Sequence, residues 1–113
     1  MKNSDTSPQF CWTVLYPNHE GATFDFDHYT QTLVPEYVAL LGENCVKYEV
    51  RKGLATPGAL APAFVCIASF WLTSGEEFRA SMADERMKVV MEKIFAFTNI
   101  QSIRQFDQVL SGH

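Results

Sequence analysis

Apolar side chains along this chain fall into four stretches with strand character and two with helical spacing. FCWTVLY, residues 10–16, is rich in aromatic and β-branched types and stops at Pro17-Asn18, which predicts a first strand. CVKYEVRKGL, residues 45–54, alternates: Val46, Tyr48 and Val50 lie on one face and Lys47, Glu49 and Arg51 on the other, as in a strand with one wet face. AFVCIASFWL, residues 63–72, is apolar at both parities and predicts a strand covered on both sides. IQSIRQFDQVL, residues 100–110, reads as the last strand.

Between the first two strands, Phe26, Tyr29, Leu33, Tyr37 and Leu40 recur at steps of three and four, which sets all five on one helix face. Asp25 is the expected N-cap, Asp27 suits the first turn, and Gly42 ends a helix spanning about 26–41. Pro35 is expected to kink or split it. ATPGALAP, residues 55–62, is a loop by its Pro-Gly turn and second proline. Ser74 and Glu77 form a capping-box signature for a short helix through Phe78 and Met82. Asp84 caps the next, in which Met87, Val90, Met91 and Ile94 keep the helical step to about residue 95. The order βαββαβ predicts an α+β subunit with a four-stranded antiparallel sheet and helices on one face. A strand that is apolar on both sides then calls for a cover on the other face, and a second copy in a homodimer supplies it most simply.

Composition narrows the function. The chain has 113 residues and 47% hydrophobic content, enough for one domain with its own core, here residues 10–110, after a flexible arm over 1–9. A net charge of -4 with scattered Lys and Arg disfavours nucleic acid as a partner. No apolar run is long enough for a membrane span, and MKNSDTSPQ lacks the apolar core of a signal peptide, so the expectation is a cytoplasmic protein with no membrane association. Cys11, Cys45 and Cys66 are far apart and outside any CxxC arrangement, as small buried hydrophobes would be. No metal is expected, since the His and Cys residues show no ligand spacing, and no GxSxG, HExxH, GxGxxG or P-loop pattern occurs. His19 lies in a polar loop and His113 ends the chain; His28 falls on a different helix face from Leu33. The side chains suited to line a pocket are Trp12, Tyr16, Tyr29, Leu33, Tyr37 and Trp71, by aromatic area and phenol hydroxyls, and filling a core is their competing role.

VLYPNHEGATFDFDHY, LVPEYVALLG, YEVRKGLATPGALAPAFVCIASFW and FTNIQSIRQFDQV together resemble the ethyl tert-butyl ether degradation (EthD) family over about residues 10–110. The resemblance implies a ferredoxin-like subunit that pairs into a dimeric α+β barrel. It also implies a place in small-molecule catabolism, working without metal or bound coenzyme. In the family a histidine stands in a THMPL-like motif of the first helix; the matching Thr32-Leu33-Val34-Pro35 has Leu33 at that place. A histidine there would serve as acid or base, whereas leucine only packs. No residue is therefore assigned a catalytic role. The expectation is a binding or accessory protein holding an apolar or aromatic metabolite between sheet and helices. A cofactor-independent oxidoreductase or lyase/isomerase is the alternative.

Overall fold

The computed structural model describes residues 7–112; residues 1–6 of the expected arm, and His113, lie outside the described residues. Strands β1 (Phe10–Pro17), β2 (Cys45–Lys52), β3 (Phe64–Leu72) and β4 (Ile103–Gln108) form one antiparallel sheet in the order β2-β3-β1-β4. Helices α1 (Phe26–His28), α2 (Val34–Leu41), α3 (Gly75–Ala83) and α4 (Glu85–Glu92) complete the α+β, ferredoxin-like subunit. Gln9, at the end of the expected arm, is already tied to the sheet. Its N–H donates to the Leu72 carbonyl and its own carbonyl accepts from Val109, both at 2.8 Å.

Strand parity builds the layers. Trp12, Val14 and Tyr16 of β1, with Cys66, Ala68, Phe70 and Leu72 of β3, are buried against Tyr29, Leu33, Tyr37, Leu41, Met87, Val90 and Ile94 from the helical side. The odd-numbered side chains Cys11, Thr13, Leu15, Val65, Ile67 and Trp71 form the opposite face and all keep some contact with solvent. Across the four strands this bare face reads in three rows: Arg51, Ile67, Leu15, Ile103; then Glu49, Ser69, Thr13, Gln105; then Lys47, Trp71, Cys11, Asp107. β2 departs from strict alternation. A register shift between Cys45 and Lys47 bulges Val46 out of the ladder, so it does not follow Tyr48 and Val50 to the helix side. β4 is shorter than the sequence pattern suggests, because residues 100–102 leave the ladder to bury Ile100, whose N–H is taken by the Thr98 hydroxyl at 3.1 Å.

The first helical region covers 26–41 as the periodicity predicts, but its middle is wider than an α-helix. Asp25 caps it, accepting the His28 N–H at 3.0 Å, and Gly42, at φ 63°, ends it. Between them Tyr29–Leu33 is a π turn closed by the Val34 N–H on the Tyr29 carbonyl. Pro35 accounts for this: it has no N–H for the carbonyl four residues back, and its ring would collide there. Widening the preceding turn relieves the collision without breaking the helix.

Ser74 caps α3 through its hydroxyl at 3.1 Å from the Glu77 N–H, and Asp84 caps α4 at 2.8 Å from the Arg86 N–H. The second half of the capping box goes elsewhere. The Ser74 N–H donates instead to buried Asn44, whose Oδ1 at 2.8 Å from it also accepts from the Thr73 N–H at 3.1 Å and the Thr73 hydroxyl at 2.9 Å. Asn44 Nδ2 closes the network on the Ser74 carbonyl at 3.0 Å. Asn44→Ala leaves the Ser74 N–H and the Thr73 hydroxyl without this partner, while the Thr73 N–H keeps the Asn44 main-chain carbonyl, and we expect it to lower unfolding stability by about 1–3 kcal/mol in urea melts. An unchanged midpoint would show that water replaces the amide.

Candidate functional site

Five of the six side chains singled out as pocket-lining come together under the sheet. Tyr16 donates its hydroxyl to the Tyr29 hydroxyl at 3.3 Å, with ring centroids 5.5 Å apart, and neither is exposed at all. Leu33 is 1% exposed, and Trp12 and Tyr37, each 3% exposed, meet edge to face at 5.8 Å. Trp71 does not join them. It lies on the bare face with Lys47 Nζ 4.8 Å above its ring. The interior that these residues share with Phe70 and Val14 is a packed core, and Leu33, where the resemblance led one to expect histidine, is a wall of it.

Burial raises the pKa of all three phenols. Tyr16 and Tyr29 go well above the ordinary phenol range, and Tyr37 is pushed up to about 12 against the opposing pull of Arg104. At neutral pH these hydroxyls are donors and cannot serve as bases. The folded state holds their protons more tightly than the unfolded chain does. Stability from this source is therefore complete below the unfolded phenol value near about 10 and falls as pH rises above it. In an alkaline titration followed by phenolate absorbance, Tyr16, Tyr29 and Tyr37 should ionise only together with loss of the native circular dichroism. A smooth ionisation near pH 10 in folded protein would contradict this.

FDFDHY has a structural account. Asp25 is the helix cap, and its N–H donates to the Phe97 carbonyl at 2.9 Å. Thr98 donates its hydroxyl to the Thr23 carbonyl at 2.7 Å, and Asn99 bonds both the Thr23 N–H and the Gly21 carbonyl at 2.9 Å. The FTN triplet thus pins the loop that precedes the first helix. His28 is exposed, with its ring 5.4 Å from that of Phe97, which itself lies against Tyr29. His19 bonds the Glu20 carbonyl on the surface. Of the thiols only Cys66 is fully buried, which pushes it up to about 12; Cys11 and Cys45 are half-buried. Among the described residues no three His, Cys, Asp or Glu side chains group as a ligand set, and no helix is long and apolar enough to cross a membrane.

The open space lies to one side of the packed core. A cleft of about 600 Å³ runs between the end of the helical layer and β4, lined by Ile94, Phe95, Asn99, Ile100, Gln101, Ser102 and Arg104. Ile94 and Ile100 are its buried apolar floor, and Phe95, 79% exposed, stands at its mouth. Arg104 pairs with Val14 in the β1–β4 ladder and therefore points to the helix side, where its charge acts on the Tyr16 and Tyr37 hydroxyls. None of these lining residues was singled out from the sequence. The available signal was a lone cation at a helix-facing position of the last strand, two residues before Phe106.

No family model matches the chain, and no curated protein does. Solved structures do. An EthD-like protein from Ralstonia eutropha is 32% identical, with a TM-score of 0.84 over 95% of this chain and 96% of that one. SnoaB, a cofactor-independent oxygenase from Streptomyces nogalater, is 8% identical with a TM-score of 0.63 over 94% of this chain and 97% of its own. A dimeric ferredoxin-like protein of unknown function from Thermobifida fusca is 10% identical with a TM-score of 0.59, over 96% and 97%. The last two share the fold. At 32% identity over nearly the whole of both chains, the first shows that this chain belongs to the EthD-like family.

Proposed function

We propose that this protein is a homodimeric binding or accessory protein of small-molecule catabolism that takes an apolar or aromatic metabolite into the cleft beside β4. The observation that carries the reading is the cleft itself: about 600 Å³, with Ile94, Phe95 and Ile100 as apolar walls and Gln101, Ser102 and Arg104 as its polar groups. Its size falls in the range of small-molecule sites, and Asn99 adds a fourth polar group to the rim. Leu33 in place of the histidine that the resemblance expects leaves no imidazole at that position of the core. Homodimer formation draws on the bare face of the sheet and on the dimeric relative of the same fold.

The test is a titration of isotope-labelled protein with 2-naphthalenemethanol, followed by amide shifts. Shifts that saturate at Ile94, Ile100 and Ser102 are the expected result. No shifts up to millimolar ligand, or shifts confined to the Trp71 face, would remove the cleft as the site. A second reading, a cofactor-independent enzyme, draws on the fold shared with SnoaB. Turnover of an aromatic substrate by purified protein without added cofactor would put it in place of the binding reading.

A further inference from the structure

We infer that the ligand of the cleft beside β4 is an anion: an apolar body carrying one carboxylate, whose charge is met by Arg104. The inference rests on the binding reading above and adds the chemical class of what is bound. Lys47, Arg51, Arg86 and Lys93 each reach a carboxylate within 3.7 Å, whereas Arg79, Lys88 and Arg104 have no such pair among the described residues, and of these only Arg104 lines the cleft. Arg104 makes no ion pair or hydrogen bond among the described residues, and it is the one charged residue lining the cleft. The Gln101 amide and the Ser102 hydroxyl, beside it on the same wall, are likewise without hydrogen-bond partners among the described residues.

Three unpaired donors thus converge on a space whose other walls are Ile94, Phe95 and Ile100. A charge on an edge strand also guards against edge-to-edge association. That role does not require an apolar floor, an exposed aromatic ring and two further unpaired polar groups around the same guanidinium. A planar guanidinium matches a carboxylate by two parallel hydrogen bonds. The phenols that face Arg104 from β1 and α2 are Tyr16 and Tyr37, and burial keeps both neutral, so neither offers it a negative partner. In a chain of net charge -4 this cleft is a place where an anion meets an uncompensated cation.

The experiment compares 2-naphthoate with 2-naphthalenemethanol, which shares the ring system without the charge, on the full chain at low salt by calorimetry. The unmodified protein is expected to prefer naphthoate by about tenfold or more, the value of one added charge-assisted hydrogen bond. Arg104→Gln should bring the two ligands to within about twofold, and Arg104→Lys should keep part of the preference, because lysine retains the charge without the fork. Arg104 is exposed on an edge strand, so both variants should keep the native circular dichroism. Equal binding of the two ligands to the unmodified protein would overturn the anion assignment and leave the cleft reading standing. A naphthoate preference that survives Arg104→Gln would overturn it as well. Binding of neither ligand would remove the cleft reading and this inference with it.

Discussion

Leu33→Ala is expected to lower the unfolding free energy by about 2–5 kcal/mol, among the largest losses that a single truncation gives in a core. The side chain is 1% exposed and belongs to the same cluster as Tyr29, Val34, Tyr37 and Phe70. It is the last residue of the π turn Tyr29–Leu33, and Pro35 fixes the backbone just downstream, so the cavity has little freedom to collapse. Urea melts with an unchanged slope would give the number, and a loss under about 1 kcal/mol would mean that the turn relaxes to fill the space. Leu33→His restores the residue that the family resemblance places here, and it should cost a comparable amount. The Tyr16 and Tyr29 hydroxyls of the same core are already bonded to one another at 3.3 Å, and a buried imidazole without a partner is expensive. If that variant were as stable as the parent and gained a turnover that titrates near neutral pH, the scaffold would be an enzyme that lost its base.

The same cluster shows what the sequence made legible. The steps of Tyr29, Leu33 and Tyr37, and the caps Asp25, Ser74 and Asp84, depend on neighbours within one turn, so pattern alone placed them; Phe26 and Leu40 are only part-buried, and Val34 and Leu41 join the core instead. The helix broadening at Tyr29–Leu33 was half legible. Proline announced a disturbance, but whether a helix kinks, splits or widens is settled by the packing on either side of it. Asn44 was missed because its four side-chain hydrogen bonds run to Thr73 and Ser74, about thirty residues away in the chain, and a lone asparagine before a strand carries no mark of them. Trp12 and Trp71 looked equivalent by type. Only the register, which pairs Trp12 with Phe70 and Trp71 with Cys11, puts them on opposite faces of the sheet. The cleft beside β4 was illegible for the same reason: the segment from Ile94 to Ser102 stays outside the ladder before β4 begins, and an alternating pattern records the strand but not the turn.

Leu15→Glu is the substitution expected to act most strongly on assembly. The row of Ile67, Leu15 and Ile103 runs across the three strands β3, β1 and β4 on the face that no helix reaches, and Ile103 is 54% exposed in the single subunit. Below it lies the polar row Glu49, Ser69, Thr13 and Gln105, in which the Arg51 guanidinium bonds both Glu49 and Ser69. If two copies pack these faces about a twofold axis, each substitution enters the interface twice, and each unpaired carboxylate costs several kcal/mol, roughly 3–5 by the standard of broken buried pairs. Light scattering should then report a dimer for the parent chain at micromolar concentration and a monomer for Leu15→Glu. Thr13→Val in the polar row should leave the dimer intact, because it adds apolar area without charge. This pair separates the dimer from general damage: a variant that merely unfolds loses its circular dichroism, whereas one that dissociates keeps the helical signal of α2 to α4. A parent chain that stays monomeric at micromolar concentration would end the proposal. The apolar row would then need another partner to cover it.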